Sequence, residues 1–135
     1  MRRLAVAALV AMLASPPAAT AEPLTAGRLA QACAGGPTTA GRQICSGFIT
    51  GFVAGQRATS VVLVERYGNI EDPAQRASVA KVVLAYCLES EPEMEAVVDT
   101  VARALVEREQ DHGMLAEGAV WQRLIDAYPC TSSEE

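Results

Sequence analysis

Four cysteines, Cys33, Cys45, Cys87 and Cys130, and a single histidine, His112, are the side chains whose types could do chemistry. A zinc site needs four ligands, usually as close Cys-x-x-Cys or histidine pairs. This chain has no Cys-x-x-Cys pair, so no metal ligands and no cofactor are expected. A nucleophilic triad needs a histidine placed beside its serine or cysteine. His112 follows Glu109 and Asp111 in a polar break, where a solvated loop residue is the plainer reading, and no catalytic residue is assigned. Glu89, Glu91, Glu93 and Glu95 alternate, but at a helix start they read as partners of the helix dipole. No glycine-rich loop lies between a strand and a helix to cradle phosphate. The cysteines are even in number, and in an exported chain that count reads as two disulfides.

Export is read from the first 21 residues. Met1-Arg2-Arg3 precedes an apolar run from Leu4 to Ala14, then Ser15-Pro16-Pro17 and an Ala19-Thr20-Ala21 site. A basic start, a short apolar stretch and an Ala-x-Ala step describe a secretory signal peptide cleaved after Ala21. The run is too short to span a bilayer, which takes about 20 residues. A periplasmic chain from Glu22 onward is the expectation. Removal of Arg2 and Arg3 leaves nine basic residues against sixteen acidic ones, a net charge of −7. That balance argues against nucleic acid and against an anionic membrane surface as partners.

The elements that position the cysteines are helical throughout. Leu24 to Ala34 reads as a first helix capped by Thr25 and ended by Gly35-Gly36-Pro37. Thr38 or Thr39 caps a second, which continues through the β-branched run Ser60 to Val64 to about Tyr67 and stops at Gly68-Asn69. Asp72-Pro73 opens a third, with Val79, Val82, Val83, Tyr86 and Cys87 as its apolar stripe. Ser90-Glu91-Pro92-Glu93 opens a fourth, with Met94, Val97, Val98, Val101 and Leu105 repeating at three and four. After the break at Asp111-His112-Gly113, Ala119 to Ala127 carries Trp121, Leu124, Ile125 and Tyr128 on one face. Thr131 to Glu135 reads as a frayed tail. The expected fold is all-α: a compact bundle of four to five helices, residues 22–130, stapled by two disulfides.

The second helix organises the rest. At helical period Ile44, Phe48, Gly51, Phe52 and Gly55 share one face, with Gly47 on its edge. Glycine in a helix interior costs about 1 kcal/mol against alanine, which implies a neighbouring backbone at close range. These six residues are therefore the expected core packing surface. Their spacing also matches the small-residue motif of membrane helix dimers. Gln56 and Arg57 interrupt the apolar run and argue against insertion, and packing within the molecule is expected over a homodimer seam.

Four cysteines permit three pairings. Cys33 ends the first helix and Cys45 starts the second, so their bond would clamp a helical hairpin. Cys87 and Cys130 would then close a longer loop. The pairing of Cys33 with Cys87 and Cys45 with Cys130 stays open as a rival.

Cys45-Ser46-Gly47-Phe48-Ile49-Thr50-Gly51 resembles the Cys-x-Gly-Tyr-Ile-x-Gly signature of the Rap/Tai family, periplasmic immunity proteins against type VI secretion amidase effectors. Cys33 and the closing Tyr128-Pro129-Cys130 match that family's pattern in order, and so does the stretch from Val82 to Pro92. The family usually carries a cysteine before a proline after the central helix. Here Gly68 to Pro73 has none, and Cys87 would take over its bond to Cys130. Glu109 to Gly118 resembles an insertion relative to the family. Tyr86-Cys87 followed by Pro92 is similar instead to the HdeA-type acid-stress chaperones, a kinship that implies Cys33 bonded to Cys87.

The first resemblance implies a non-enzymatic binding protein that inhibits a cell-wall amidase by inserting a loop, and it implies a homodimer. Gly68 to Asp72 and the segment near His112 are the candidate contact loops. The alternatives are an acid-stress chaperone and a structural helical domain of the same fold with no immunity role.

Overall fold

The computed structural model describes residues 22–88 and 93–130. The leader, the tail from Thr131 and the start of the Ser90-Glu91-Pro92-Glu93 pattern lie outside the described residues. Five α-helices follow in order: α1 (Ala26–Cys33), α2 (Ala40–Tyr67), α3 (Pro73–Leu84), α4 (Met94–Glu107) and α5 (Ala116–Ala127), with a 3₁₀ turn at Glu109–Asp111.

Local chemistry sets most of the boundaries. Thr25 and Thr39 accept side-chain hydrogen bonds from the N–H groups of Arg28 and Arg42, as helix caps do. Asp72 accepts from Ala74 N–H, and Pro73 occupies the first helical position. α3 ends at Ala85 in a left-handed conformation, φ 60°. Tyr86 and Cys87 thus follow the helix rather than extend it.

The core is a sandwich of α1, the N-terminal half of α2, α4 and α5. Leu29, Ile49, Val53, Val97, Val101, Val120 and Leu124 are fully enclosed in it, and Tyr86 closes one side. Two glycines let its backbones approach. A Cβ on Gly41 would stand 3.2 Å from the Ala32 carbonyl oxygen, and one on Gly27 would meet His112 Cβ at 3.0 Å.

α2 is the long element. Its residues 40–53 cross the core, and among the described side chains beyond Val53 Ser60 and Val64 are buried. From Val53 to Tyr67 is about 21 Å of helix at 1.5 Å per residue. α3 folds back along that stretch, making with it a helical hairpin whose tip is Gly68 to Asp72. Val61, Val64, Pro73, Arg76, Ala77 and Ala80 line the small cleft between the two. By length and composition α2 could cross a membrane, yet only 22% of that window is buried.

Two expected faces are corrected by this packing. α3 buries none of its residues, and Val82 and Val83 are exposed. Among the described residues its extensive partner is α2, against which Val79 and Ala80 are half-buried, while Val82 and Val83 turn to solvent. On α2 the buried line is Cys45, Ile49 and Val53, with Phe48 and Phe52 half-buried on its flank. Ile44 is 62% exposed, and Gly47, Gly51 and Gly55 are exposed, with no atom within 4 Å of where a Cβ would stand. The cause is covalent. Ile44 and Cys45 lie about 100° apart around the helix, and the bond to Cys33 turns Cys45, not Ile44, towards the core.

Candidate functional site

The structure pairs Cys33 with Cys45 and Cys87 with Cys130. The first bond clamps α1 to the start of α2. The second ties the segment after α3 to the chain terminus, beside a backbone hydrogen bond from Cys87 N–H to the Tyr128 carbonyl at 2.8 Å. No free cysteine is present. The rival link from Cys33 to Cys87 is not formed, so the likeness to the acid-stress chaperones loses its structural counterpart.

The segment around His112 is built into the fold. Gly27 N–H donates to the His112 carbonyl at 3.0 Å and Ala26 N–H to that of Met114 at 2.8 Å. Ala116 N–H donates to the Leu24 carbonyl at 2.9 Å, and Thr25 bridges Leu115. The first amides of α1 and α5, which a helix cannot satisfy itself, are thus answered by each other's leading segments. His112 is half-buried, its Nε2 3.1 Å from the Leu105 carbonyl oxygen. That corrects the reading of a solvated loop histidine. The ring is held in structural contacts.

Beneath this clasp lies a charge cluster that periodicity did not reveal. Arg123 is 4% exposed, with Nη2 3.2 Å from Asp111 and Nη1 3.5 Å from Asp126. Arg108 reaches the same Asp126 carboxylate at 3.6 Å. Arg123 Nε and Nη1 have no hydrogen-bond partner among the described residues. An Asp at i+3 from an Arg on α5 was the available signal. The other unpartnered buried group is the Tyr86 hydroxyl, whose pKa burial pushes above its ordinary value while the nearby Arg57 charge partly opposes the shift.

An open groove of about 700 Å³ runs between α2 and α4, lined among others by Ser46, Thr50 and Glu95. Arg42 in it is committed to an ion pair with Asp99. Among the described residues no group of three or more His, Cys, Asp or Glu could hold a metal ion.

The hairpin tip differs from all of this. Asn69 takes a left-handed conformation, φ 43°, which its short polar side chain tolerates. Asn69, Glu71 and Asp72 are exposed, and Ile70 is half-buried beside Gly68. Trp121 braces the hairpin's other end, its indole N–H donating to the Leu84 carbonyl at 3.1 Å.

The described residues thus form a disulfide-stapled helical domain with one projecting hairpin. The family model of the Rap1a immunity proteins matches residues 25–130, and the chain belongs to that family. Its general role is accordingly that of an immunity protein, which acts on a protein effector. Comparison with curated proteins and with solved structures gives no match.

Proposed function

We propose that this chain is exported to the periplasm by cleavage after Ala21 and there binds and inhibits a peptidoglycan amidase delivered by type VI secretion. It acts as a homodimer, without catalysis of its own, and presents the tip Gly68 to Asp72 to the enzyme's cleft. The observation that carries this reading is the contrast between the two candidate loops. The His112 segment spends its backbone groups inside the fold. The tip leaves Asn69, Glu71 and Asp72 outside it, on a two-helix arm. An arm of this shape fits the inhibition by loop insertion that the resemblance implies. The basic leader and apolar run support export, and the acidic mature chain fits a soluble partner.

The experiment is a pull-down at neutral pH between the mature chain and candidate secreted amidases, paired with peptidoglycan hydrolysis. A stoichiometric complex that silences hydrolysis is expected. Glu71→Arg should weaken it at least about tenfold, as loss of an interface anchor does, with circular dichroism unchanged. Absence of a complex with every amidase tried, or full inhibition by the tip variant, would remove this reading.

A further inference from the structure

The outward face of α2 from Ile44 to Val62 carries no charge and is apolar apart from Thr59 at its edge. At 100° per residue Ile44, Gly51, Gly55 and Val62 fall within about 20° of one line, and Gly47, Phe48 and Ala58 within about 60° of it. This line lies opposite the fully buried Ile49 and Val53. Ile44 is 62% and Val62 57% exposed. Arg57, the one charged residue between them, sits well off the line. The glycines weaken the helix, and nothing among the described residues uses the space they leave. A surface of this kind on a soluble chain marks a contact.

The order of residues selects the occupant. Laid antiparallel about a two-fold axis, Ile44 meets Val62 of the partner subunit, Phe48 meets Ala58 of the partner subunit, and Gly51 meets Gly55 of the partner subunit. Each pairing matches: apolar end on apolar end, ring over a small residue, glycine on glycine where two backbones cross. Self-complementarity of this kind is what a two-fold contact requires, because every pair occurs twice. An unrelated partner would impose no such relation. A bilayer would have to accept Arg57 and Gln56 midway along the helix.

We propose that the outward face of α2 is the seam of an antiparallel homodimer, crossing at Gly51 and Gly55, with a second copy of this chain as its occupant. This rests on the dimer in the function proposed above and names its contact; it does not depend on the effector. The register carries the C-terminal half of each α2 alongside the N-terminal half of the other, so the two hairpin tips point in opposite directions.

Sedimentation equilibrium of the purified chain, with no effector present, tests it. The wild type should sediment as a dimer. Gly51→Arg should raise the dissociation constant at least about 100-fold, as a charge placed at a packed contact does. Its circular dichroism should not change, since the new side chain meets nothing within the monomer, and Gly51→Ala should act in the same direction more weakly. Ile44→Lys and Val62→Glu should each dissociate the dimer when made alone. The two together should restore at least about tenfold of the affinity, because the register sets the opposite charges face to face. A monomeric wild type, or a dimer that Gly51→Arg leaves intact, overturns the seam. A double charge variant no tighter than either single one overturns the register, and a monomer that partitions into neutral lipid vesicles assigns the face to a membrane instead. A wild-type monomer that still captures an amidase would sink this inference while leaving the immunity reading in place.

Discussion

The carboxylate of Asp111, in the 3₁₀ turn, lies 3.2 Å from the guanidinium of Arg123, which α5 holds beneath the clasp at 4% exposure. A buried charge keeps its place only while its partners stay ionised and close, and removing one partner costs more than the pair contributes. Asp126 would still face Arg123 after loss of Asp111, at the longer distance of 3.5 Å. Asp111→Asn should therefore lower the unfolding free energy by about 2 kcal/mol, below the range for a wholly stranded charge. Urea unfolding at neutral pH reads this. Glu22→Gln, whose carboxylate pairs with the exposed Arg28, should shift the midpoint by less than the error, as exposed pairs do.

The two disulfides should differ in what they contribute. A crosslink stabilises by restricting the unfolded chain, more so for longer loops. The Cys33–Cys45 loop has a sequence separation of 12 and the Cys87–Cys130 loop one of 43. The chain-entropy relation gives about 3 and about 4 kcal/mol. Replacing Cys87 and Cys130 together by alanine should thus lower the urea midpoint more than replacing Cys33 and Cys45, once the core cavity left at Cys45 is allowed for. Both variants should keep their helical signal at low temperature.

What was legible in the sequence was local. Thr25, Thr39 and Asp72-Pro73 mark helix starts because a cap acts over three residues, and the structure begins helices where they stand. The stripe Val97, Val98, Val101, Leu105 on α4 is buried as its spacing implies. Facing was not legible on α2 and α3. Two phenylalanines four residues apart outweigh one cysteine in any count of apolar residues, yet a covalent bond at Cys45 fixes the rotation of the whole helix. The valines of α3 satisfy a helical stripe as well as any core face does. Which side they meet depends on α2 extending far beyond the bundle, a tertiary fact with no local signal. His112 misled for the opposite reason: its neighbours in sequence are polar, and its neighbours in space come from α1 and α4.

Glycines that look alike should respond with opposite signs. Gly41 is packed against the Ala32 carbonyl, so Gly41→Ala must push α1 and α2 apart or distort one of them. A loss of about 1–2 kcal/mol is expected, in the range of core overpacking. Gly47→Ala has open space around it, and the better helix former should add about 0.4–1 kcal/mol to the monomer. Urea melts at protein concentrations low enough to dissociate any dimer would compare them. A Gly41→Ala variant as stable as wild type would contradict the close approach of α1 and α2.

Tyr86 should make the fold sensitive to alkali. Its hydroxyl is enclosed, at 1% exposure, without a hydrogen-bond partner among the described residues. Burial disfavours the phenolate and raises the pKa, with Arg57 opposing part of the shift. A group whose folded pKa lies above its unfolded value binds its proton more tightly when folded. Its contribution is therefore complete below the unfolded value of about 10 and declines as the pH rises towards the folded one. The urea midpoint should fall as the pH rises past the ordinary tyrosine value of about 10, with the unfolded chain gaining the phenolate first. Tyr86→Phe removes both the titration and the unsatisfied hydroxyl. It should match or exceed the wild type at neutral pH, since losing an unpartnered buried polar group costs little. Its alkaline decline should be shallower than that of the wild type. Parallel declines for the two proteins would show that Tyr86 does not govern the alkaline limb.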